Sequence, residues 1–190
     1  VEESLEIIAQ KTKNIDATII VGAPIRTLHG MINAAVVFNN GTIVGIVPKL
    51  HLPNYKEFYE KRWFISGYDL PEPTLNINGT EVPVGSNILF TDHNNPNIVM
   101  GIEICEDIWM PIPPSSVLAL RGANVLVNLS ASNEIVGKAA YRKDLVAMQS
   151  AKTISAYVYV SCGVHESTTD VVFSGHSLIA ENGTVIAESP

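Results

Sequence analysis

The run Asn97-Ile98-Val99-Met100-Gly101-Ile102-Glu103-Ile104 reads as a strand buried inside a sheet, and it stops abruptly at Cys105-Glu106-Asp107. A strand that feeds a sharp turn holds one side chain clear at the sheet's edge. The next backbone N–H then points at a developing oxyanion, as in nucleophile elbows. Cys105 is therefore a candidate nucleophile. The competing reading is a small buried cysteine that only packs, and the residues around it in the rest of the chain bear on the choice.

At 190 residues, 46% hydrophobic and only 16% charged, the chain has enough apolar material for one sizeable core and fits a single domain. Twelve basic residues face 19 acids for a net charge of −7, and no basic cluster interrupts the balance. Nucleic acid and anionic membrane surfaces are thereby excluded as expected partners. Both cysteines, Cys105 and Cys162, lie in apolar runs, unlike a disulfide framework, so a cytoplasmic location is expected. No stretch approaches a membrane span, and Val1-Glu2-Glu3-Ser4-Leu5 has no signal-peptide pattern. The chain opens in mid-helix and ends just after a strand, and is expected to be part of a longer protein.

Leu5, Ile8 and Ala9 form a helical stripe ahead of the apolar strand 17–22, a helix-then-strand order that reads as half of an α/β unit. Strands at 34–38 and 42–47 flank Asn39-Asn40-Gly41, a hairpin signal. Residues 49–69 mix His51, Pro53, Tyr55, Phe58, Tyr59, Trp63 and Phe64, the pattern of a pocket-wrapping loop. A short strand is expected at 87–90. A helix capped by Ser115 or Ser116 follows Pro111–Pro114 and runs to Arg121-Gly122, then a strand at 123–129. Gly137 to Ser155 reads as the longest helix, with Tyr141, Leu145, Met148 and Ala151 as its core stripe. A strand at 157–162 and a hairpin of 171–179 with 184–187 across Asn182-Gly183 complete the chain. Mixed sheets covered by helices are the predicted result.

Two segments carry a family resemblance. Pro48-Lys49-Leu50-His51-Leu52-Pro53-Asn54-Tyr55-Lys56-Glu57-Phe58-Tyr59-Glu60 and Gly101-Ile102-Glu103-Ile104-Cys105-Glu106-Asp107 resemble the lysine and cysteine motifs of the nitrilase (carbon–nitrogen hydrolase) superfamily. More narrowly, they are similar to the glutaminase domain of glutamine-dependent NAD synthetases. Asn128-Leu129-Ser130-Ala131-Ser132, Gly137-Lys138-Ala139, Gly163 to Asp170 and Ser174-Gly175-His176-Ser177 extend the similarity over nearly the whole chain.

The resemblance implies an α/β fold, a nitrilase-like four-layer αββα sandwich truncated at both ends, with residues 1–190 an interior portion of the domain. It implies a Glu-Lys-Cys catalytic set in which Lys49 and Cys105 are the second and third members. Glu60 then resembles the extra glutamate that holds the lysine or the substrate. The general-base glutamate is expected ahead of Val1, because Glu2, Glu3 and Glu6 lack a strand-end context, and the segment alone is expected to be inactive. The chemistry is plain: a free thiol with a pKa of about 8.5 is mostly protonated at neutral pH, and an ammonium beside it favours the thiolate. That charge and the N–H of Glu106 would stabilise a tetrahedral oxyanion.

For glutamine as substrate, the resemblance offers Glu106, Ser132 and Tyr55 as contacts and Trp109 as a wall. Lys138 stands where the family often carries arginine, keeping the charge without the bidentate fork; Arg142 could share the task. Neither a phosphate loop nor a dinucleotide fingerprint occurs, so no cofactor is expected in this chain. ATP and Mg are expected in a separate synthetase (ATP-pyrophosphatase) domain of the parent protein. The five histidines show no metal-ligand spacing, so no metal is expected, and pairing of Cys105 with His165 or His176 is the weaker catalytic alternative. Expected partners are glutamine, the synthetase domain and further copies in a homo-oligomer. The leading function is glutamine amidohydrolysis that releases ammonia for ATP-dependent amidation of deamido-NAD elsewhere in the parent. A free-standing amidase, nitrilase or carbamoylase and a non-catalytic assembly module are the alternatives.

Overall fold

Two of the three Asn-Gly pairs close hairpins whose tips meet a helix, with φ of 46° and 76° at Asn40 and Gly41 and of 47° and 88° at Asn182 and Gly183. Glycine is needed there twice over. A Cβ on Gly41 would meet the Ala9 carbonyl oxygen at 2.8 Å, and one on Gly183 would meet the Ala151 Cβ at 3.0 Å. Each turn tip thus seats against a helix. The computed structural model describes residues 1–189, in two compact units, one of residues 1–88 and one beginning at Leu89.

In the first unit, α1 (Glu2–Thr12) covers a three-stranded sheet of β1 (Thr18–Arg26), β2 (Met31–Asn39) and β3 (Thr42–Pro48). The stripe of Leu5, Ile8 and Ala9 packs as expected, against Ala23, Ile25, Val36 and Phe38 among others. The strand order corrects one expectation: β1 pairs antiparallel with β2. The Thr27–Gly30 turn, closed by the Thr27 N–H donating to the Gly30 carbonyl at 2.8 Å, makes this a meander and not half of an α/β unit. A second hairpin, β4 (Thr74–Ile77) with β5 (Thr80–Pro83), turns at Asn78-Gly79 in a stretch to which the sequence reading assigns no element. Its strands have only four residues each, too few for an alternating pattern to register.

The second unit is a six-stranded sheet in the order β11-β10-β9-β8-β7-β6. Its centre, β7 (Val99–Ile104), β8 (Val125–Ser130) and β9 (Ala156–Ser161), is parallel, and antiparallel strands flank it: β6 (Phe90–Thr91), β10 (Ser177–Glu181) and β11 (Thr184–Ser189). This is the expected mixed sheet. Helices α2 (Pro114–Leu120) and α3 (Lys138–Thr153) follow β7 and β8. Leu118 and Val146 pack with Leu126, Tyr157, Tyr159 and Leu178 in the core.

Four boundaries differ from the sequence reading. The strand expected at 87–90 is β6, only Phe90–Thr91. Helix α2 starts at Pro114 with no side-chain cap from its own N-terminus, so neither Ser115 nor Ser116 is the N-cap. The Glu103 carboxylate does that work from β7, accepting from the Ser115 N–H at 2.7 Å. Strand β10 begins at Ser177, not at Val171, because the preceding backbone N–H groups go to local hydroxyls: Val171 and Asp170 to Thr168, Phe173 to Ser167. Finally, Tyr141, Met148 and Ala151 face solvent, and of the expected α3 stripe Leu145 alone packs against the core. The buried face carries Arg142, Val146, Gln149 and Ser150; the Gln149 amide, the Ser150 hydroxyl and the two terminal nitrogens of Arg142 are hydrogen-bonded there, which lets them sit inside. Among the described residues no helix is long and apolar enough to cross a membrane.

Candidate active site

Strand β7 delivers Cys105 into a tight 3-10 turn, Cys105–Trp109, with φ of 48° at the cysteine. A left-handed conformation costs a non-glycine residue of order 1–3 kcal/mol, and it persists only where surroundings over-determine it. Three contacts do so here. The Cys105 N–H donates to Asn128 Oδ1 at 3.0 Å, Asn128 Nδ2 donates to the Cys105 carbonyl at 3.4 Å, and the Ile104 N–H donates to Asp107 Oδ2 at 3.0 Å. The turn follows β7, at the carboxyl end of the parallel strands, where open α/β sheets form their sites. Cys105, Glu106 and Asp107 are buried, and Trp109 is half-buried at the end of the same turn.

Near the thiol stands Tyr159, buried on β9, with the Ser130 and Ser132 hydroxyls in its surroundings. Burial first, and Cys105 next, push its phenol up to about 12, so it stays a neutral donor. Cys162 lies one residue past β9, half-buried, its N–H donating to the Ser130 carbonyl at 2.9 Å. Burial, and then the neighbouring Cys105, raise its thiol above the ordinary value, which disfavours the reactive thiolate.

Lys49 begins the aromatic loop of the first unit. Its N–H donates to the Asn33 carbonyl at 2.8 Å and its carbonyl accepts from the Gly67 N–H at 2.9 Å, so its backbone is held on both sides. The side chain is only 1% exposed, and its ammonium donates to both oxygens of Glu60, at 2.7 and 2.9 Å. A buried ammonium needs such a partner, because taking it out of water unpaired is prohibitive. Glu60 reaches it from a 3-10 turn, Glu60–Arg62, whose first N–H donates to the Pro53 carbonyl at 3.1 Å. Tyr55, from the same loop, is exposed and packs edge-on to Phe58.

In the second unit Lys138 opens α3, its ammonium 5.1 Å from the centre of the Trp109 ring and bonded to Asn133 Oδ1. Tyr141 stacks on Trp109, with ring centroids 5.5 Å apart. Ser132 is buried on the connection between β8 and α3. Lys138 and Trp109, named separately from the sequence, are thus brought together. Arg142 is engaged internally through its two terminal nitrogens, while its buried Nε has no partner among the described residues. It is 1% exposed and spends its guanidinium on Glu134 at 3.0 Å, His176 Nδ1 at 2.8 Å and the Asn133 carbonyl at 3.4 Å. Burial opposes ionisation of Glu134, yet the Ser174 hydroxyl and Arg142 hold its carboxyl below the ordinary range. His176 is committed as well, with Nε2 3.0 Å from Glu188. Arg142 donating to Nδ1 makes that ring a structural acceptor and not a base for Cys105.

Sequence reasoning missed Asn128 and Glu103. Their signal was available: each is a polar residue in an otherwise apolar strand. Glu103 is buried beneath the turn, accepting from the Tyr157 hydroxyl and the Ser115 N–H, while Gln149 donates to Ser115 and Ser116. Among the described residues no cation joins it, and burial, the largest influence, raises its pKa from 4.5 to about 7. The folded state therefore keeps a proton that the unfolded chain releases. That contribution to stability is fully present below pH 4.5 and is lost as pH rises through about 7, a span of roughly 3 kcal/mol. Glu103→Gln, which mimics the protonated acid, is expected to remove this component. Urea unfolding at pH 5 and pH 8 measures it, and an unchanged difference between the two pH values in the variant refutes the assignment.

Against this geometry, comparison with known proteins is decisive for the family: the profile described as Carbon-nitrogen hydrolase matches residues 2–190. The chain belongs to the carbon–nitrogen hydrolase family. This family member is 42% identical over 189 residues to the glutamine-dependent NAD(+) synthetase of Mycobacterium tuberculosis, covering 100% of this chain and 28% of that protein. It superposes on the crystal structure of a glutamine-dependent NAD(+) synthetase from Cytophaga hutchinsonii with a TM-score of 0.83 and 30% identity, over 98% of this chain and 29% of that one. Saccharomyces cerevisiae Nit3, described as a member of branch 10 of the nitrilase superfamily, aligns with a TM-score of 0.71 over 98% of this chain and 60% of its own, at 17% identity. That last likeness speaks to the fold, which is nitrilase-like, as the resemblance implied. The carbon–nitrogen hydrolase chain thus spans little more than a quarter of the length of the synthetases it matches.

Proposed function

We propose that this chain is the glutamine-hydrolysing part of a glutamine-dependent NAD synthetase. The observation that carries the reading is Cys105, held at positive φ on the turn after β7, in a chain so similar to those synthetases. Cys105 attacks the side-chain amide carbon of glutamine through its thiolate. The thiol's proton, taken up by the general-base glutamate of the family pattern, passes to the amide nitrogen as the C–N bond breaks; ammonia leaves, and a glutamyl thioester remains for water to hydrolyse to glutamate. The backbone N–H of Glu106 supports the oxyanion. Lys49, with Glu60 fixing its ammonium, is the catalytic lysine of the family pattern. Glu106 and Ser132 serve the substrate's polar groups together with Tyr55, and Trp109 with Lys138 forms a wall bearing the positive charge that an α-carboxylate requires. Ammonia is then used by an ATP- and Mg-dependent synthetase portion of the parent, and the parent works as a homo-oligomer in the cytoplasm.

An electrophilic glutamine analogue tests this directly in the full-length parent. A diazoketone of glutamine is expected to alkylate Cys105, located by mass spectrometry of the digested protein, with protection by excess glutamine and none by asparagine. Labelling confined to Cys162, or equal protection by both amides, overturns the reading.

A further inference from the structure

Asn128 does more than fill a buried position. It is fully buried on β8, paired in register with Glu103 on β7, and its side-chain amide extends that ladder by one rung beyond the regular strand. Oδ1 accepts from the Cys105 N–H and Nδ2 faces the Cys105 carbonyl, so one amide satisfies both backbone groups of the residue whose φ is 48°. Ser130, two residues on, donates its hydroxyl to the same Oδ1 at 2.8 Å. The Cys105 N–H can only donate and its carbonyl only accept, which fixes the amide's orientation, and the Ser130 hydroxyl then adds a second donor to Oδ1. We propose that Asn128, oriented by Ser130, is a positioning residue for the nucleophile: it sets the backbone of the Cys105 turn, and with it the direction of the thiol and of the Glu106 N–H. The assignment rests on Cys105 being the nucleophile proposed above, and it adds the device that aims it.

Asn128→Leu, Asn128→Asp and Ser130→Ala in the full-length parent test this with iodoacetamide. Adduct formation is followed at Cys105 and Cys162 separately, across pH 6 to 10. In Asn128→Leu the Cys105 rate at pH 7 is expected to fall about 10-fold or more while the Cys162 rate holds. Glutamine turnover should lose on the order of 10²-fold in kcat, with KM changed little, as for a misaligned reacting group. Asn128→Asp keeps an acceptor for the Cys105 N–H but places a negative charge beside the turn, and should move the Cys105 profile to higher pH. Ser130→Ala should lie between wild type and Asn128→Leu. Wild-type reactivity and kcat in Asn128→Leu overturn the proposal, and so does an equal change at both cysteines, which marks general loosening. Should that variant fail to fold, an unchanged Cys105 profile in both other variants overturns it equally. Iodoacetamide needs no amide substrate. Altered Cys105 alkylation together with no labelling by the glutamine analogue would therefore count against glutamine alone and leave the positioning role standing.

Discussion

Cys105→Ala is expected to abolish glutamine hydrolysis by the full-length parent, with kcat reduced at least about 10⁴-fold, the scale on which removal of a covalent nucleophile acts. The loss should be chemical and not structural. Alanine keeps the Cβ, so it meets the same restriction at a φ of 48°, and the Asn128 and Asp107 contacts involve backbone groups that the substitution leaves in place. Melting temperature should accordingly change little. Ammonia supplied directly should still support amidation of the deamido dinucleotide, because only the source of nitrogen is cut. Ammonia release from glutamine that survives in the variant refutes Cys105 as nucleophile. Loss of the ammonia-driven reaction as well would show that the substitution acts through folding.

The largest effect on stability is expected at Arg142. Replacing it with leucine deletes a buried cation and leaves His176 Nδ1 and the Asn133 carbonyl without a donor and Glu134 without its charge partner. Breaking one side of such a pair costs about 3–5 kcal/mol, a large fraction of the 5–15 kcal/mol that holds a typical domain together. For a chain of this size that corresponds to a fall in melting temperature of about 10 °C. Arg142→Lys should recover little, since one ammonium cannot address three acceptors in a fork. The damage should also reach the segment after β8, because Asn133 is held by Arg142 at its carbonyl and by Lys138 at its side chain. Thermal unfolding measures the loss, and a shift under 2 °C sinks the claim.

The legible parts of this molecule share a physical character. Asn40-Gly41 and Asn182-Gly183 were readable as hairpins because positive φ is a property of the residue itself. The parallel strands β7 to β9 were readable because each is a short, nearly continuous apolar run rich in β-branched and aromatic residues. The α3 face was not. Tyr141 and Met148 suit a core by hydropathy, yet Arg142 and Gln149 occupy it, because their partners His176, Glu134 and Ser115 lie elsewhere in the chain and hydropathy carries no information about partners. The same blindness hid the cap of α2, supplied by Glu103 from a strand.

From sequence alone came the short-range facts: where strands and turns lie, that a cysteine and two carboxylates end an apolar strand, and that this order of motifs resembles carbon–nitrogen hydrolases. Only the tertiary structure decided that Cys105 is held at positive φ by Asn128, that Lys49 is buried with its ammonium on both oxygens of Glu60, and that Arg142 is a buried cation paired with Glu134. The division follows from range. Backbone sterics and periodicity act within a few residues, whereas the fate of a buried charge or an unpaired N–H depends on groups that come into reach only when distant strands pair.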